Sequence, residues 1–266
     1  PAGGVEVTGR TVHDALLRVL VDARLRRGLP PAELGAEEAD VLARADPDRV
    51  MRLARFMARH FYRERLVRLF SHCCAIARRR GAKPISQVDA PEFRALLDEA
   101  VLGSPESADA VASRFERWFL DAVPDGPAWW PDLVRYEGAF FRAEAARRVW
   151  SEPGGIALPP RPPRRSLSAR VVEFGFDLPA LLARLDRLAP ADPLPVDVGP
   201  SPTRLLIATS RRGVVHVVRL NPSVDRFLSA IDGERDAAAI GESCGMTRDA
   251  AEVALRKLRD VGAVEA

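Results

Sequence analysis

The stretch that decides the fold is Arg204–Leu220, with the sequence RLLIATSRRGVVHVVRL. Two short apolar runs rich in β-branched residues, Arg204–Thr209 and Val214–Leu220, enclose the tetrapeptide Ser210-Arg211-Arg212-Gly213. Short β-branched runs are typical of strands, and a polar connection that ends in glycine is typical of a tight turn. The stretch therefore predicts a β-hairpin.

Three helices are predicted directly after the hairpin, at Pro222–Ile231, Asp236–Ser243 and Thr247–Val261. Thr247 is a natural N-cap residue, and Gly262 suits the left-handed position at which many helices end. A hairpin followed by three short helices within residues 204–266 is the outline of a small winged-helix module.

Two segments of this module resemble a RiPP recognition element of the PqqD type, a domain that binds the leader of a ribosomally made precursor peptide. The segments are Val215-His216-Val217-Val218-Arg219-Leu220-Asn221 and Phe227-Leu228-Ser229-Ala230-Ile231-Asp232-Gly233-Glu234. Ile240 and the end of the third helix, Leu258-Arg259-Asp260-Val261-Gly262, continue the pattern. Ala237-Ala238 departs from it, because a Thr-Val pair is common there.

The resemblance implies that a leader peptide adds as an extra strand beside the sheet, in the groove against the third helix. An edge strand offers unpaired N–H and C=O groups, so main-chain hydrogen bonds supply affinity. The predicted peptide-binding strand consists of Gly213, Val214, Val215, His216, Val217, Val218 and Arg219. The predicted groove wall consists of Arg248, Ala251, Glu252, Leu255, Arg256 and Arg259. The arginines of this wall would suit an acidic leader, and a core position is the alternative for Ala251 and Leu255.

The sequence upstream predicts helices throughout residues 1–150. They are expected at Thr11–Arg27, Ala32–Arg44, Pro47–Arg80, Ala90–Val101, Ser107–Ala122 and Pro131–Trp150. Five prolines between Pro153 and Pro163, with arginines among them, predict a stiff linker at 151–168. An α+β domain at 169–266 follows, with a strand at Ala169–Phe176, a helix at Leu178–Leu188 and the recognition element at 204–266. The predicted fold class is mainly α with a C-terminal α+β module, that is, a helical bundle followed by a winged-helix-like, PqqD-like domain.

A second resemblance lies in the helical half. Trp118-Phe119-Leu120, Pro124 and the run Trp130–Glu137 are similar to a segment of the helical partner proteins of multinuclear non-haem iron enzymes, as in methanobactin and 3-thiaglutamate biosynthesis. Tyr136 and Gly138 depart from that pattern. In those heterodimers the partner brings the precursor peptide, and the iron subunit oxidises its cysteine. The resemblance implies an enzyme-docking bundle at 1–150, an iron enzyme as partner and no cofactor in this chain.

The predicted docking residues are Trp129, Trp130, Arg135 and Tyr136. Trp129-Trp130 follows Gly126 and Pro127 in a predicted turn. An exposed aromatic pair there would anchor a partner, and packing inside the chain is the alternative.

Residues 49–80 carry ten arginines against a single acid, Glu64. This basic helix would offer a surface to nucleic acid or to an acidic protein, or else be neutralised within the bundle. We expect internal neutralisation, because the flanks 32–48 and 89–109 each carry six acids.

Signatures of catalysis are missing from the sequence, which contains no glycine-rich phosphate loop, HExxH, GxSxG or spaced CxxC pair. His72-Cys73-Cys74 is the only cluster of soft ligands, and consecutive helical residues point about 100° apart. We therefore predict no catalytic residue and no metal site, and an accessory subunit rather than an enzyme.

The alternative function is a winged-helix DNA-binding transcriptional regulator whose third helix enters the major groove. Residues 201–266 carry ten basic and nine acidic residues, a balance that does not favour nucleic acid as partner. No run of about 18 uncharged apolar residues occurs, and the early acids Glu6, Asp14 and Asp22 disfavour a signal peptide. The three cysteines form no disulfide framework. These features predict a cytoplasmic protein without a membrane partner.

Overall fold

The computed structural model describes residues 36–145, 162–189 and 191–265. The predicted helix Thr11–Arg27, the start of the helix predicted at Ala32–Arg44 and most of the predicted linker lie outside the described residues. Within them the chain is mainly helical, with a small antiparallel sheet in the C-terminal half, which confirms the fold class at this level. None of the helices in these ranges is both long and apolar enough to cross a membrane.

Four of the described helices in the N-terminal half begin at a proline, and two of these follow a capping side chain. Asp46 accepts hydrogen bonds from the N–H groups of Asp48 and Arg49, and Ser104 accepts one from Ser107, so each satisfies donors that a helix start leaves free. The elements are α1 (Ala36–Arg44), α2 (Pro47–Leu69), α3 (Ser71–Arg79), α4 (Pro84–Val88), α5 (Pro91–Glu99), α6 (Pro105–Ala122) and α7 (Trp130–Ala145).

The prediction of one helix from Pro47 to Arg80 is wrong, because the helix breaks at Phe70. The backbone of Phe70 leaves the helical region, with φ −95° and ψ 45°, and its side chain is buried against Phe115 and Phe119. The carboxylate of Glu137 accepts the N–H groups of His72 and Cys73 at 2.9 and 3.0 Å. Helix α3 thus receives its N-terminal cap from Glu137 of α7, about 65 residues later in the sequence.

The C-terminal half follows the predicted order of strands and helices. Its elements are β1 (Arg164–Arg165), β2 (Arg170–Phe174), α8 (Leu178–Leu185), β3 (Thr203–Thr209), β4 (Val215–Arg219), α9 (Pro222–Ser229), α10 (Ala237–Ser243), α11 (Arg248–Asp260) and β5 (Val264–Glu265). The hairpin and the three helices after it are confirmed. The end of the predicted linker needs correction, since Arg164 and Arg165 pair with Glu265 and Val264 in a two-stranded ladder.

The main sheet lies between two helical layers. Alternate residues of β3 point to opposite faces: Leu205 and Ile207 pack with the helical bundle, while Leu206 and Ala208 pack with α9–α11. The bundle core also includes Phe174. The two halves therefore share a hydrophobic core, although the chain division at residues 151–168 stays a prediction.

Gly262 fixes how the last helix meets the hairpin. It has the left-handed φ of +78° that ends α11, and a Cβ at this position would stand 2.0 Å from the carbonyl oxygen of Thr209. Only glycine combines this conformation with so close a contact. The predicted helix stop is thus also the point where α11 contacts the end of β3.

Candidate peptide-binding edge

Strand β4 forms one outer edge of the three-stranded sheet, whose order is β2-β3-β4. It runs antiparallel to β3, with Val217 opposite Ile207 and His216 opposite Ala208. No strand in the described ranges pairs with the far side of β4. The strand predicted to receive a peptide is therefore an edge strand.

The outward-facing backbone groups of β4 belong to alternate residues, namely Val215, Val217 and Arg219. In an antiparallel pair, residues alternate between those bonded to the opposite residue and those whose N–H and C=O point away. The Leu220 N–H donates to the Arg204 carbonyl at 3.0 Å, and the Ser210 N–H donates to the Val214 carbonyl at 2.9 Å. These two bonds place the even-numbered residues in the ladder with β3, so the odd-numbered residues present donors and acceptors to an added strand.

The turn between β3 and β4 holds this register. The Gly213 N–H donates to the Ser210 carbonyl at 2.8 Å, and Gly213 has the left-handed φ of +75°. The hydroxyl of Ser210 also accepts the Val214 N–H at 3.3 Å. A turn closed by a left-handed glycine matches the twist of the strands it joins, and it determines which β4 residues face outward.

The two faces of β4 differ in how they are covered. Val215 and Val217 pack on the bundle side against Ala139, Ala143 and Ile207. On the opposite face, Leu206 of β3 is fully buried, but Val218 directly across from it remains 36 % exposed. This apolar side chain, one strand beyond the core of α9–α11, offers a contact for a side chain of an added strand.

The other outer edge, on β2, is bonded to α7 at its C-terminal end. By the same alternation, Glu173 of β2 directs its backbone outward, and its carbonyl accepts a hydrogen bond from Arg135 at 2.8 Å. Asp132 accepts the N–H of Gly175 at 2.6 Å, immediately after the strand. The two edges thus differ, because no strand or side chain in the described ranges bonds to the outward backbone groups of β4.

The predicted groove wall on α11 divides into core and surface. Ala251 and Leu255 are 0 % and 7 % exposed and belong to the core with Leu206 and Phe227. Their assignment as peptide contacts is corrected for this reason, and the alternative of a core role holds. The remaining wall residues are exposed: Arg248, Glu252, Arg256 and Arg259. Arg248 pairs with Glu252 at 3.2 Å.

Arg219 ties the end of β4 to the start of α8. One of its guanidinium nitrogens lies 2.7 Å from each carboxylate oxygen of Asp177, the N-cap residue of α8. The hydrogen bond from Arg219 holds the pKa of Asp177 below its ordinary value. The side chain of Arg219 is therefore engaged within the chain, while its backbone faces the open edge.

The predicted docking tryptophans are inside the protein. Trp129 and Trp130 are 1 % and 2 % exposed; the Trp129 indole donates to the Pro195 carbonyl at 2.7 Å, and Trp130 packs edge-on against Phe119. Their prediction as partner anchors is wrong, because the segment after α8 covers Trp129 and α6 covers Trp130. The predicted turn that contains both tryptophans did not indicate these long-range contacts.

The other two predicted docking residues join α7 to β2. Arg135 bonds to Asp132 at 3.1 Å and lies 5.4 Å from the Phe174 ring. Tyr136 packs edge-on against the same ring at 6.1 Å, and burial raises the pKa of its hydroxyl to about 12. Both side chains thus belong to the contact between the bundle and the sheet.

A cluster that the sequence did not reveal joins α3 to α7 and to the end of α8. His72 hydrogen-bonds through Nδ1 to Glu137 at 2.9 Å and through Nε2 to Asp186 at 3.0 Å. The hydrogen bond with Glu137 is the main cause that raises the pKa of His72 to about 8. Burial raises the pKa of the Cys73 thiol, so this cysteine is a poor nucleophile. No group of three or more His, Cys, Asp and Glu residues in the described ranges converges on a metal position.

Part of the basic helix is neutralised internally. Arg59 pairs with Asp98 and Arg63 with Asp89, which joins α2 to the acidic flank formed by α5 and the loop before it. Arg68 pairs with Glu144 of α7 at 3.2 Å. The prediction of internal neutralisation is confirmed for this part of the helix.

No protein-family profile matches the chain, and a search of curated proteins finds no match.

Proposed function

We propose that this protein is a non-catalytic partner subunit that binds the leader of a ribosomally made precursor peptide. In this role it presents the peptide to a metal-dependent modifying enzyme, with multinuclear iron, that acts on cysteine. The observation that carries the proposal is the contrast between the two sheet edges. One is bonded to α7 through Arg135, whereas the other offers the backbone of Val215, Val217 and Arg219.

Leader capture by strand addition needs three features, and β4 supplies each of them. Alternate backbone groups point outward, the hairpin turn holds the register, and Val218 gives an apolar contact beside the edge. Main-chain bonding then supplies affinity, and alternate side chains of the peptide supply specificity. The exposed Arg256 and Arg259 on α11 favour a leader that carries acidic residues.

The role of partner rests on the two resemblances. The iron subunit of such a heterodimer would supply the oxidation, and this chain would supply peptide binding. Iron measured by plasma mass spectrometry is expected in the co-purified complex and below stoichiometry in the isolated chain. Tightly bound iron together with turnover by the isolated chain would refute the accessory role.

The test of the edge uses two matched proline variants. Random peptides displayed on their messenger RNA are selected on the full chain, and an enriched peptide is synthesised with fluorescein for anisotropy titration. Val217→Pro removes a donor that faces the open edge, and proline is tolerated at such positions. We expect it to weaken binding by at least about tenfold, because the peptide carbonyl loses its partner.

Val171→Pro is the control, because the Val171 N–H faces outward from β2, the opposite edge of the sheet. It should leave the affinity unchanged, as should Val217→Ala, which keeps the N–H. Equal affinity for the Val217→Pro variant and the unaltered chain would place the peptide elsewhere. A salt-resistant, sequence-specific complex with duplex DNA would favour the regulator instead.

A further inference from the structure

Helix α2 carries two apolar stripes, and only one of them is buried. Its inner stripe repeats every four residues and is fully buried against the bundle: Ala54, Ala58, Tyr62 and Leu66. The second stripe consists of Leu53, Phe56 and Met57, which are 41 %, 62 % and 39 % exposed. Residues three and four apart share a helix face, so these three side chains form a contiguous apolar surface, which we call the outer stripe.

The outer stripe stands on the side of α2 opposite the bundle. Successive residues are rotated by about 100°, which places Phe56 across the helix from Ala54 and Ala58, with Leu53 and Met57 on the flank between Phe56 and the buried stripe. His60 extends the stripe by one turn, and its ring stacks with Phe56 at 6.3 Å between centroids. Contiguous exposed apolar surface of this kind marks interaction sites more often than isolated exposed residues do.

Two arginines that have no acidic partner among the described residues accompany the outer stripe. Arg49 lies one turn before Leu53, and Arg52 lies one turn before Phe56. In the described part of the chain neither has an acidic group within ion-pair distance, unlike Arg59 and Arg63 further along the helix. The internal neutralisation of the basic helix thus stops where the outer stripe lies.

The positive charge of Arg49 and Arg52 determines which kind of partner can bind the outer stripe. A second copy that met this one through the same stripe would bring arginines against arginines, and like charges across an interface are unfavourable. Residues 10–27 of the same chain carry five arginines and two acids, a net charge of +3 of the same sign. Complementarity requires an acidic helix of another protein, with apolar residues on one face.

We propose that the outer stripe with Arg49 and Arg52 is the docking surface for an acidic amphipathic helix of the modifying enzyme, an assignment of the partner that rests on the proposed function. It replaces Trp129 and Trp130 as the enzyme contact. The docked helix inserts apolar side chains beside Phe56 and places carboxylates opposite the two arginines. It lies on α2, a different element from the β4 edge, so enzyme and peptide bind separate surfaces.

The test uses the full chain and a fluorescein-labelled synthetic amphipathic helix of about three heptads, with leucine on one face and glutamate flanking it. A matched helix carries lysine in place of glutamate. In anisotropy titrations the glutamate helix should bind at least about tenfold tighter, with an affinity that falls as salt is raised. Phe56→Ala should weaken it by about tenfold, and the double variant Arg49→Glu, Arg52→Glu should prefer the lysine helix.

Two control variants change similar side chains elsewhere. Leu167→Ala removes an apolar residue that is 82 % exposed, and Arg117→Glu reverses an exposed charge on α6; both should bind the glutamate helix normally. Equal binding of the two helices, or no effect of Phe56→Ala, would overturn the inference. A dimer in sedimentation equilibrium that Phe56→Ala dissociates would assign the stripe to a second copy and would also overturn it.

Failure here is separable from failure of the proposed function. Peptide selected on the β4 edge should bind Phe56→Ala normally and Val217→Pro weakly. If the synthetic glutamate helix does not bind but the selected peptide does, only the proposed docking surface on α2 is wrong. If Val217→Pro binds the selected peptide as tightly as the unaltered chain does, the proposed peptide binding is wrong, whether or not the synthetic helix binds.

Discussion

The two outer edges of the same sheet have opposite environments. On β2, the Glu173 carbonyl is bonded to Arg135, Asp132 bonds to the next turn, and Tyr136 packs against Phe174. On β4, alternate backbone groups have no strand beside them in the described ranges. Unpaired edges promote unwanted association, so a chain that covers one edge and leaves the other open retains a place for an added strand.

The largest expected effect is in amide hydrogen exchange along β4. In the free chain, the Val217 N–H should exchange at least about a hundredfold faster than the N–H groups of His216 and Val218, which are bonded to β3. Amide-resolved exchange by NMR measures this directly. Slow exchange at Val217 would mean that another part of the chain covers the edge, and the contrast between the two edges would vanish.

The stability of the folded protein should depend on pH through His72, which joins α3 to Glu137 of α7 and to Asp186 after α8. Its folded pKa of about 8 exceeds the ordinary 6.5, so its stabilisation is complete below about pH 6.5 and is lost as pH rises through about 8. The difference should be about 1–2 kcal/mol in the free energy of unfolding. The groups that face it are Glu137 and Asp186, with the neutral thiol of Cys73 beside Glu137.

Urea unfolding at pH 6 and pH 8.5 checks this prediction. His72→Gln should lower the stability at pH 6 and should flatten the profile between the two values. Asp186→Asn, which alters the exposed partner only, should reduce the slope by less. An unchanged profile in His72→Gln would show that His72 does not link α3 to α8 energetically.

The smallest effect is expected from Arg135→Ala. This change leaves the Glu173 carbonyl without its donor and removes the pair with Asp132, but Arg135 is half exposed, so solvent compensates for much of the loss. We expect about 0.5–1 kcal/mol of destabilisation in urea. Faster exchange at the Gly175 N–H is expected as well, since Asp132, which accepts it, loses its pair with Arg135. Arg117→Glu should change neither quantity.

Local signals in the sequence were sufficient for the elements around the candidate site. The Ser210–Gly213 turn, the caps Asp46 and Thr247 and the stop at Gly262 each depend on residues a few positions apart. Such signals act within one turn of backbone. The strand predicted at Val214–Leu220 therefore matches β4 to within one residue at each end, while its role in peptide binding stays a prediction.

Long-range contacts explain the predictions that failed. The break at Phe70 needs the carboxylate of Glu137, and the burial of Trp129 needs the carbonyl of Pro195. Ala251 was predicted in the groove wall with a core role as the alternative, and it packs in the core with Ile240 of α10. Each of these depends on a partner whose position follows only from the packing of whole helices.

The sequence alone determined the hairpin turn, the caps Asp46 and Thr247, the stop at Gly262 and the alternation that gives β4 its outward backbone groups. Only the tertiary structure decided which sheet edge stays open, which stripe of α2 stays exposed and where the helix that begins at Pro47 breaks. Turns and these caps form between neighbours in sequence, whereas burial and long-range bonds such as that from His72 to Glu137 depend on elements that meet after folding.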